Sequence, residues 1–311
     1  MKVSVIVPVY NGEEYISGII RDLHSQKENS AEFIIVDDGS TDKTSEVLKK
    51  LIINLNDERF LVLRKTNGGV SSARNMGIGS SRGKYIFFAD ADDRLSPNLL
   101  SNFVSTIENN KTDFEFFPFQ RASIIENKIV KQKTKLDYSK VASKKILNKK
   151  DLLKLFFYYK LQGYPFGFIS KKNLWSSKSF DESVSLGEDL LAILNIILFA
   201  SKIKAHINNI QEYYYIIRQN SALNTVDLKK SEEFYYVLNK IQRNCNLDYQ
   251  KKLVKNLFYG WYTDCYRLSM LEKNTYKSNF FKNEMKSNFF KTPMPFSSRL
   301  HRAMIMFNYK F

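Results

Sequence analysis

Val3-Ser4-Val5-Ile6-Val7-Pro8-Val9, closed by Tyr10-Asn11-Gly12, is the stretch on which the fold turns. β-Branched residues fill nearly every position, the pattern of a strand buried on both faces, as at the centre of a parallel sheet. From about Glu13 to Gln26, Tyr15, Ile16, Ile19, Ile20 and Leu23 recur at three- and four-residue spacing and predict an amphipathic helix. The alternation then repeats. The run Phe33 to Val36 precedes a helix carrying Val47, Leu48, Leu51 and Ile52, Phe60 to Leu63 predicts a third strand, Val70 to about Ser80 a helix, and Tyr85 to Ala89 a fourth strand. Ser96 and Pro97 suit the N-cap and first position of a further helix, since Ser accepts an orphan amide and Pro has none to leave unpaired. Such an order predicts an α/β fold with a mostly parallel, doubly wound sheet and right-handed crossovers.

The 311 residues are 43% hydrophobic and 14% aromatic with 12 Gly and 6 Pro, which excludes a disordered, collagen-like or linker-dominated chain. At about 150 residues per domain, the length predicts about two domains. Met1 to Tyr10 has no signal-peptide pattern, and Asn195 splits the apolar runs Leu190 to Leu194 and Ile196 to Ala200, too short to span a bilayer. Cys245 and Cys265 lie outside any CxxC pattern. A cytoplasmic protein with reduced thiols is the expectation. The net charge of +16 is uneven: residues 1–100 balance to −1, 101–220 to +8 and 221–311 to +9. The basic part is suited to an anionic partner, whether nucleic acid, anionic lipid or a phosphorylated substrate.

In a doubly wound sheet, ligands gather outside the carboxyl ends of the strands. The segments there read Pro8-Val9-Tyr10-Asn11-Gly12, Asp37-Asp38-Gly39-Ser40-Thr41-Asp42, Thr66-Asn67-Gly68-Gly69 and Asp90-Ala91-Asp92-Asp93. Carboxylates crowded at one sheet edge repel unless a cation or a donor-rich ligand sits among them. A hard divalent cation, Mn²⁺ or Mg²⁺, favours oxygen ligands and completes its shell with substrate phosphates.

These four segments, with Gly68-Gly69-Val70-Ser71-Ser72-Ala73-Arg74-Asn75 in the third and Phe88-Ala89 leading the fourth, resemble the family-2 glycosyltransferases. The resemblance covers about a hundred residues and thins beyond to Gly187-Glu188-Asp189. It implies the GT-A fold: a Rossmann-like, mostly parallel sheet flanked by helices, here with a helical C-terminal region. It implies a nucleotide-sugar (donor) half at 1–110, an acceptor half with the catalytic base at 111–220, and a helical, basic and aromatic region at 221–311.

The resemblance assigns Asp92, with Asp90 and in a looser reading Asp93, to the family's DxD metal motif; the alternative is a solvated acidic turn. It places Pro8, Val9, Tyr10, Asn11, Asp38, Gly69, Arg74, Asp90 and Ala91 around the nucleotide, Asp38 accepting from the base and Arg74 approaching the phosphates or holding the acidic loops. Asp37 to Asp42 read alone is equally an Asp-Gly turn with a helix cap. Asp189 resembles the general base that removes the acceptor hydroxyl proton, with Glu188 supporting it; the alternative is a carboxylate pair suited to a helix dipole.

Other motifs fail on context. Gly77, Gly79 and Gly83 end a helix instead of opening one, and Tyr85 follows Gly83-Lys84 where a phosphate loop needs Ser or Thr. His24, His206 and His301 have no zinc spacing, and no G-x-S-x-G elbow occurs.

Lys128 to Lys154 reads as an exposed lysine-rich connection running into a helix near Asp151 to Tyr159. Gly163 to Phe168 borders the acceptor site by resemblance, or is a turn packed by its aromatics. Tyr213-Tyr214-Tyr215 reads as a core strand with Arg218 as a phosphate contact. Lys277-Ser278-Asn279-Phe280-Phe281-Lys282 recurs nine residues later as Lys286 to Lys291. One straight helix would put the two Phe pairs on opposite faces, roughly 180° apart. Beyond it, Leu300, Ala303, Met304, Phe307 and Phe311 form a stripe beside Arg299, Arg302 and Lys310, suited to an anionic membrane or to packing on the domain.

The resemblance, added to these readings, implies an inverting, metal-dependent transferase. It would move sugar from a nucleoside-diphosphate donor, a UDP-sugar by preference, to a glycan or lipid-linked acceptor in bacterial surface-polysaccharide synthesis. A peripheral contact with the inner face of the cell membrane is expected, nucleic acid is not, and a homo-oligomer is allowed. The alternative is a non-catalytic membrane-peripheral nucleotide-sugar-binding partner of an assembly complex.

Overall fold

The computed structural model describes residues 1–126, 128–132, 138, 143–176, 178–218, 228–289 and 291–293. The chain forms two compact units, Met1–Lys150 with Gln162–Arg218, and Asp151–Leu161 with Gln219–Phe311.

In the first unit β1 (Val3–Val9) is buried at every residue, as its unbroken apolar run requires. α1 (Ile16–His24) lays Ile16, Ile19, Ile20 and Leu23 against Val3, Val5, Val7 and Val9. β2 (Ala31–Asp37), α2 (Thr44–Leu55), β3 (Phe60–Arg64), α3 (Gly69–Ser80) and β4 (Tyr85–Phe88) follow in the predicted order. β1, β2, β3 and β4 pair in parallel. Gly77 explains one of the rejected glycines: a Cβ there would lie 2.3 Å from Ile6 Cγ2, so the glycine lets α3 lie close against β1.

β5 (Arg94–Leu95), α4 (Leu99–Asn110), β6 (Phe114–Phe116), β7 (Gln120–Ile125), β8 (Lys128–Lys131), β9 (Ser143–Asn148), β10 (Phe168–Lys171), α6 (Glu188–Phe199), β11 (Lys204–Ile207) and β12 (Tyr213–Ile216) complete this unit; α5 (Lys149–Phe157) belongs, from Asp151 on, to the second. The main sheet has the order β3-β2-β1-β4-β10-β6-β11-β9, and a smaller one the order β5-β12-β7-β8. β10 is antiparallel to both β4 and β6, so the sheet is parallel in its first half and mixed in its second. The chain winds outward from β1 to β3 and returns at β4. The reversal between β1 and β4 places a ligand crevice beyond their carboxyl ends.

Two local expectations are corrected. Ser96 caps no helix: α4 begins at Leu99, and Ser96 N–H donates to Glu212 O while its carbonyl accepts from Gln26 Nε2, which ties it into the strand connection. The lysine-rich stretch holds β8 and β9, because pairing with β7 and β11 supplies what its composition does not.

The second unit contains α7 (Leu228–Asn244), α8 (Asp248–Leu271) and α9 (Thr275–Asn288). Trp261 on α8 contacts the rings of Tyr235 and Phe281, and Cys245 and Cys265 are buried free thiols. α9 stops at Asn288, before the second Phe pair of the repeat. Phe281 and Phe289, eight residues apart and so on the same half of a helix, both face α8, at Trp261 and Tyr259, while Phe280 of the first pair is exposed. Among the described residues no helix is long and apolar enough to cross a membrane. Phe290 and the stripe from Arg299 to Phe311 lie outside the described residues.

Candidate active site

The four polar segments meet at the carboxyl edge of β1, β2, β3 and β4. Asp38 N–H donates to Val9 O, and Asn11, with φ +49°, accepts at Oδ1 from Thr41 N–H at 2.8 Å. Pro8 and Val9 are buried in register with Val36 and Asp37, so they shape the floor, while Tyr10 stays exposed beside it. Asp37 and Asp42 are local turn supports: Asp37 accepts from Ser40 N–H and Ser45 Oγ, Asp42 from Thr44 N–H. Asp38 differs. Its buried carboxylate receives Lys65 Nζ at 2.9 Å, Gly68 N–H at 3.0 Å and Gly69 N–H at 2.7 Å, which holds the start of α3 against the second segment.

Arg74 rises from α3 into the acidic edge and is 5% exposed. Nη1 donates to Glu188 Oε1 at 2.9 Å, Nη2 approaches Asp90 Oδ1 at 3.4 Å, and the guanidinium lies over the Phe180 ring. It thereby joins the two chemical centres read separately in the sequence. Gly187, at φ +80°, supplies the left-handed turn that opens α6 and delivers Glu188 and Asp189 to this place. Burial, reinforced by the neighbouring Glu188 carboxylate, pushes Asp189 up to about 7, with Arg74 pulling against it. Burial also raises Asp90, again opposed by Arg74.

Asp93 does not join Asp90 and Asp92 as a candidate ligand. It is 1% exposed, accepts from Tyr213 Oη at 2.6 Å and from Ile216 N–H at 2.8 Å, and its carboxyl is raised well above the usual range by burial and by its two acidic neighbours. Asp90 N–H donates to the same Tyr213 hydroxyl. Asp93 and Tyr213 therefore brace the acidic turn from behind, with Ala91 buried between. Asp92 faces outward, its side chain 37% exposed, with Arg218 Nε at 3.5 Å. Arg218, expected as a phosphate contact, lies against Asp92 and over the Tyr15 ring at 4.0 Å.

Three pairings had no local signal: the Tyr213–Asp93 brace, the Arg218–Tyr15 stack and the nearness of Tyr164 to Asp189. Burial raises the Tyr164 phenol and the nearby Asp189 charge adds to it. Tyr164 also stacks on Phe166, and Phe166 on Tyr213, so the Gly163 to Phe168 segment is packed by its aromatics and sits beside Asp189 as well.

Among the described residues, no three His, Cys, Asp or Glu side chains form a ready cation cage. Asp90 and Asp92 still fit a hard divalent cation. They offer oxygen donors at an open edge, and such ions are commonly held by one or two carboxylates with substrate phosphates and water.

The model of glycosyl transferase family 2 matches residues 4–171. The chain is 30% identical over 220 residues to an uncharacterised glycosyltransferase, EpsJ, of Bacillus subtilis, a match covering 70% of this chain and 61% of that relative. It is 34% identical over 115 residues to the poly(ribitol-phosphate) beta-N-acetylglucosaminyltransferase TarS of Staphylococcus aureus, covering 36% of this chain and 20% of that one. The structure of S. aureus TarS 1-349 with UDP-GlcNAc superposes with a TM-score of 0.69 at 20% identity, over 99% of this chain and 89% of that one. A mannosyltransferase of Pyrobaculum calidifontis, in complex with GDP-Man and Mn²⁺, does so with a TM-score of 0.62 at 14% identity, over 99% and 81%. At these identities the likeness speaks for the fold, which is GT-A. With more than half of its length matched by the family model and the sheet, crevice and acidic turn in place, the chain belongs to glycosyl transferase family 2.

Proposed function

We propose that the chain transfers a sugar, with inversion, from a nucleoside-diphosphate donor to a hydroxyl of a glycan or lipid-linked acceptor in surface-polysaccharide synthesis. A UDP-sugar is the preferred donor, in keeping with the UDP-GlcNAc bound by the similar TarS structure. The observation that carries this reading is Asp189: a carboxylate with its proton affinity moved up to about 7, tied through Glu188 and Arg74 to the acidic turn at the donor crevice. A base poised near neutrality is what proton removal from a hydroxyl asks for.

In this mechanism Tyr10, Asn11 and Asp38 bound the nucleotide pocket, with Pro8, Val9 and Gly69 forming its backbone wall. Asp189 takes the acceptor's hydroxyl proton as the oxygen forms its bond to the anomeric carbon and the carbon–oxygen bond to the diphosphate breaks. Glu188 and Arg74 hold Asp189 and Asp90 in relative position, and enclosure of both substrates supplies orientation. A divalent cation, Mn²⁺ or Mg²⁺, held by Asp92 and Asp90 would supply neutralisation of the charge on the departing diphosphate. Residues 1–110 then serve the donor and 111–220 the acceptor, while the basic 221–311 region serves contact with an anionic membrane at the cytoplasmic face.

A panel of nucleoside diphosphates and nucleotide sugars, with and without Mn²⁺, tests this by thermal shift followed by transfer assays. A ligand at about 100 times its Kd stabilises by roughly 2.7 kcal/mol. No shift with any nucleotide would refute the proposal.

A further inference from the structure

The acidic edge carries two arginines with different commitments. Arg74 is buried and engaged by Glu188 and Asp90 together. Among the described residues Arg218 faces Asp92: its Nε is 3.5 Å from Asp92 Oδ2, its side chain is 29% exposed, and its guanidinium carbon is 4.0 Å from the centre of the Tyr15 ring. Tyr15 in turn donates to Asn11 O at 3.2 Å, so the stacked arginine rests on the wall of the nucleotide crevice. Asp92 is the outward-facing carboxylate of the turn, since Asp93 is turned inward and Asp90 is shared with Arg74. The guanidinium therefore lies against one oxygen of the carboxylate that a cation would need.

We propose that Arg218 is a positioning residue that acts as the resident counter-ion of Asp92, and that a divalent cation binds this edge by displacing Arg218 from that carboxylate. The inference rests on the cation-assisted reading of Asp92 above. The physics favours exchange over permanent pairing. The pair is part-exposed, its approach is longer than the 2.9 Å of Arg74 to Glu188, and such pairs contribute little, about 1 kcal/mol at most. A doubly charged ion with small radius outcompetes a delocalised guanidinium for one carboxylate once it arrives. Without Arg218, Asp92 would lose the cation beside it, while Arg74 still offsets Asp90 and Glu188. With it, the turn keeps its shape, braced behind by Asp93 and Tyr213 and in front by Arg218.

The sign of the effect separates this role from ordinary support. A merely structural arginine, once removed, weakens cation binding because the edge loses order. A displaced counter-ion, once removed, strengthens it. Mn²⁺ binding to the full chain without nucleotide, read from loss of the free-ion electron paramagnetic resonance signal, distinguishes the two. R218Q is expected to bind Mn²⁺ about fivefold more tightly than the parent chain, the fold-change equivalent to the pair's upper value. R218K, which keeps the charge and loses the planar stack on Tyr15, should fall between them, and D92N should lose binding. Melting curves without Mn²⁺ identify any misfolded variant, and R218K then carries the comparison. Equal or weaker Mn²⁺ binding by folded R218Q or R218K, with D92N still deficient, overturns the counter-ion role and leaves the cation site standing. Binding that ignores D92N, or no binding by any variant at millimolar Mn²⁺, overturns the cation site and this inference together.

Discussion

Arg74 Nη1 donates to Glu188 Oε1 at 2.9 Å, across 114 residues of sequence, and so joins α3, behind the acidic turn, to α6, which presents Asp189. Because the guanidinium is buried, removing it strands two carboxylates. Arg74→Ala is expected to destabilise the fold by up to about 3 kcal/mol, measured by urea unfolding. Arg74 also holds Asp189 down, so the same variant should move the acidic limb of the pH–rate profile to higher pH.

On the proposal that Asp189 is the base, it sets that limb in the parent chain. A base must be unprotonated to work, and burial moves this carboxyl up to about 7. Transfer measured as kcat/KM should therefore rise with pH, about tenfold per unit below 7, and level off above it. Asp189→Asn should lower kcat by about 10²–10⁴-fold while leaving nucleotide affinity within a factor of about two. Near-normal turnover in that variant would remove Asp189 from the base role.

The same group makes stability fall with rising pH. Its folded value exceeds the unfolded one of roughly 4, so between those values the folded chain holds a proton that the unfolded chain has lost. The stabilisation is complete below pH 4 and lost as pH climbs through about 7. Asp189→Asn should thus melt above the parent at pH 8, each 1 kcal/mol raising Tm by about 2–4 °C, and show a smaller advantage or none at pH 4.

Tyr213→Phe removes the hydroxyl that bridges Asp93 and the Asp90 amide. The expected loss is about 1–3 kcal/mol in unfolding experiments, because two buried polar groups lose a partner. Mn²⁺ affinity should change less than in Asp92→Ala, since Tyr213 and Asp93 lie behind the turn and Asp92 in front.

Chelation tests the cation directly. Treatment with EDTA should abolish transfer, and added Mn²⁺ should restore it in the parent chain and not in Asp92→Ala. Retained activity in the chelated enzyme would count against Asp92 as a ligand.

Periodicity made the first hundred residues legible. Val3 to Val9 could only be a buried strand, and the polar segments after each strand had to meet at one edge once the strands were parallel. The candidate site was legible as residue types in order: likeness to a family points to Asp38, Arg74, Asp90, Asp92, Glu188 and Asp189, and the fold brings them to one edge. The middle of the chain was less legible because β8 and β9 are lysine-rich and become strands only through their partners β7 and β11. Ser96 misled for a similar reason: its local signal for a cap lost to hydrogen bonds with Glu212 and Gln26, far away in the chain.

Sequence by itself determined the strand–helix alternation, the edge at which ligands gather and the uneven charge, because these depend on local period and composition. Tertiary structure alone decided which partner each carboxylate has. Asp90, Asp92 and Asp93 are nearly adjacent in sequence. One shares Arg74, one faces outward to Arg218, and one turns inward to Tyr213. Their partners lie 16 residues away in one case and more than 100 in the others, so only the folded arrangement of charge, burial and donors could separate three like groups into three roles.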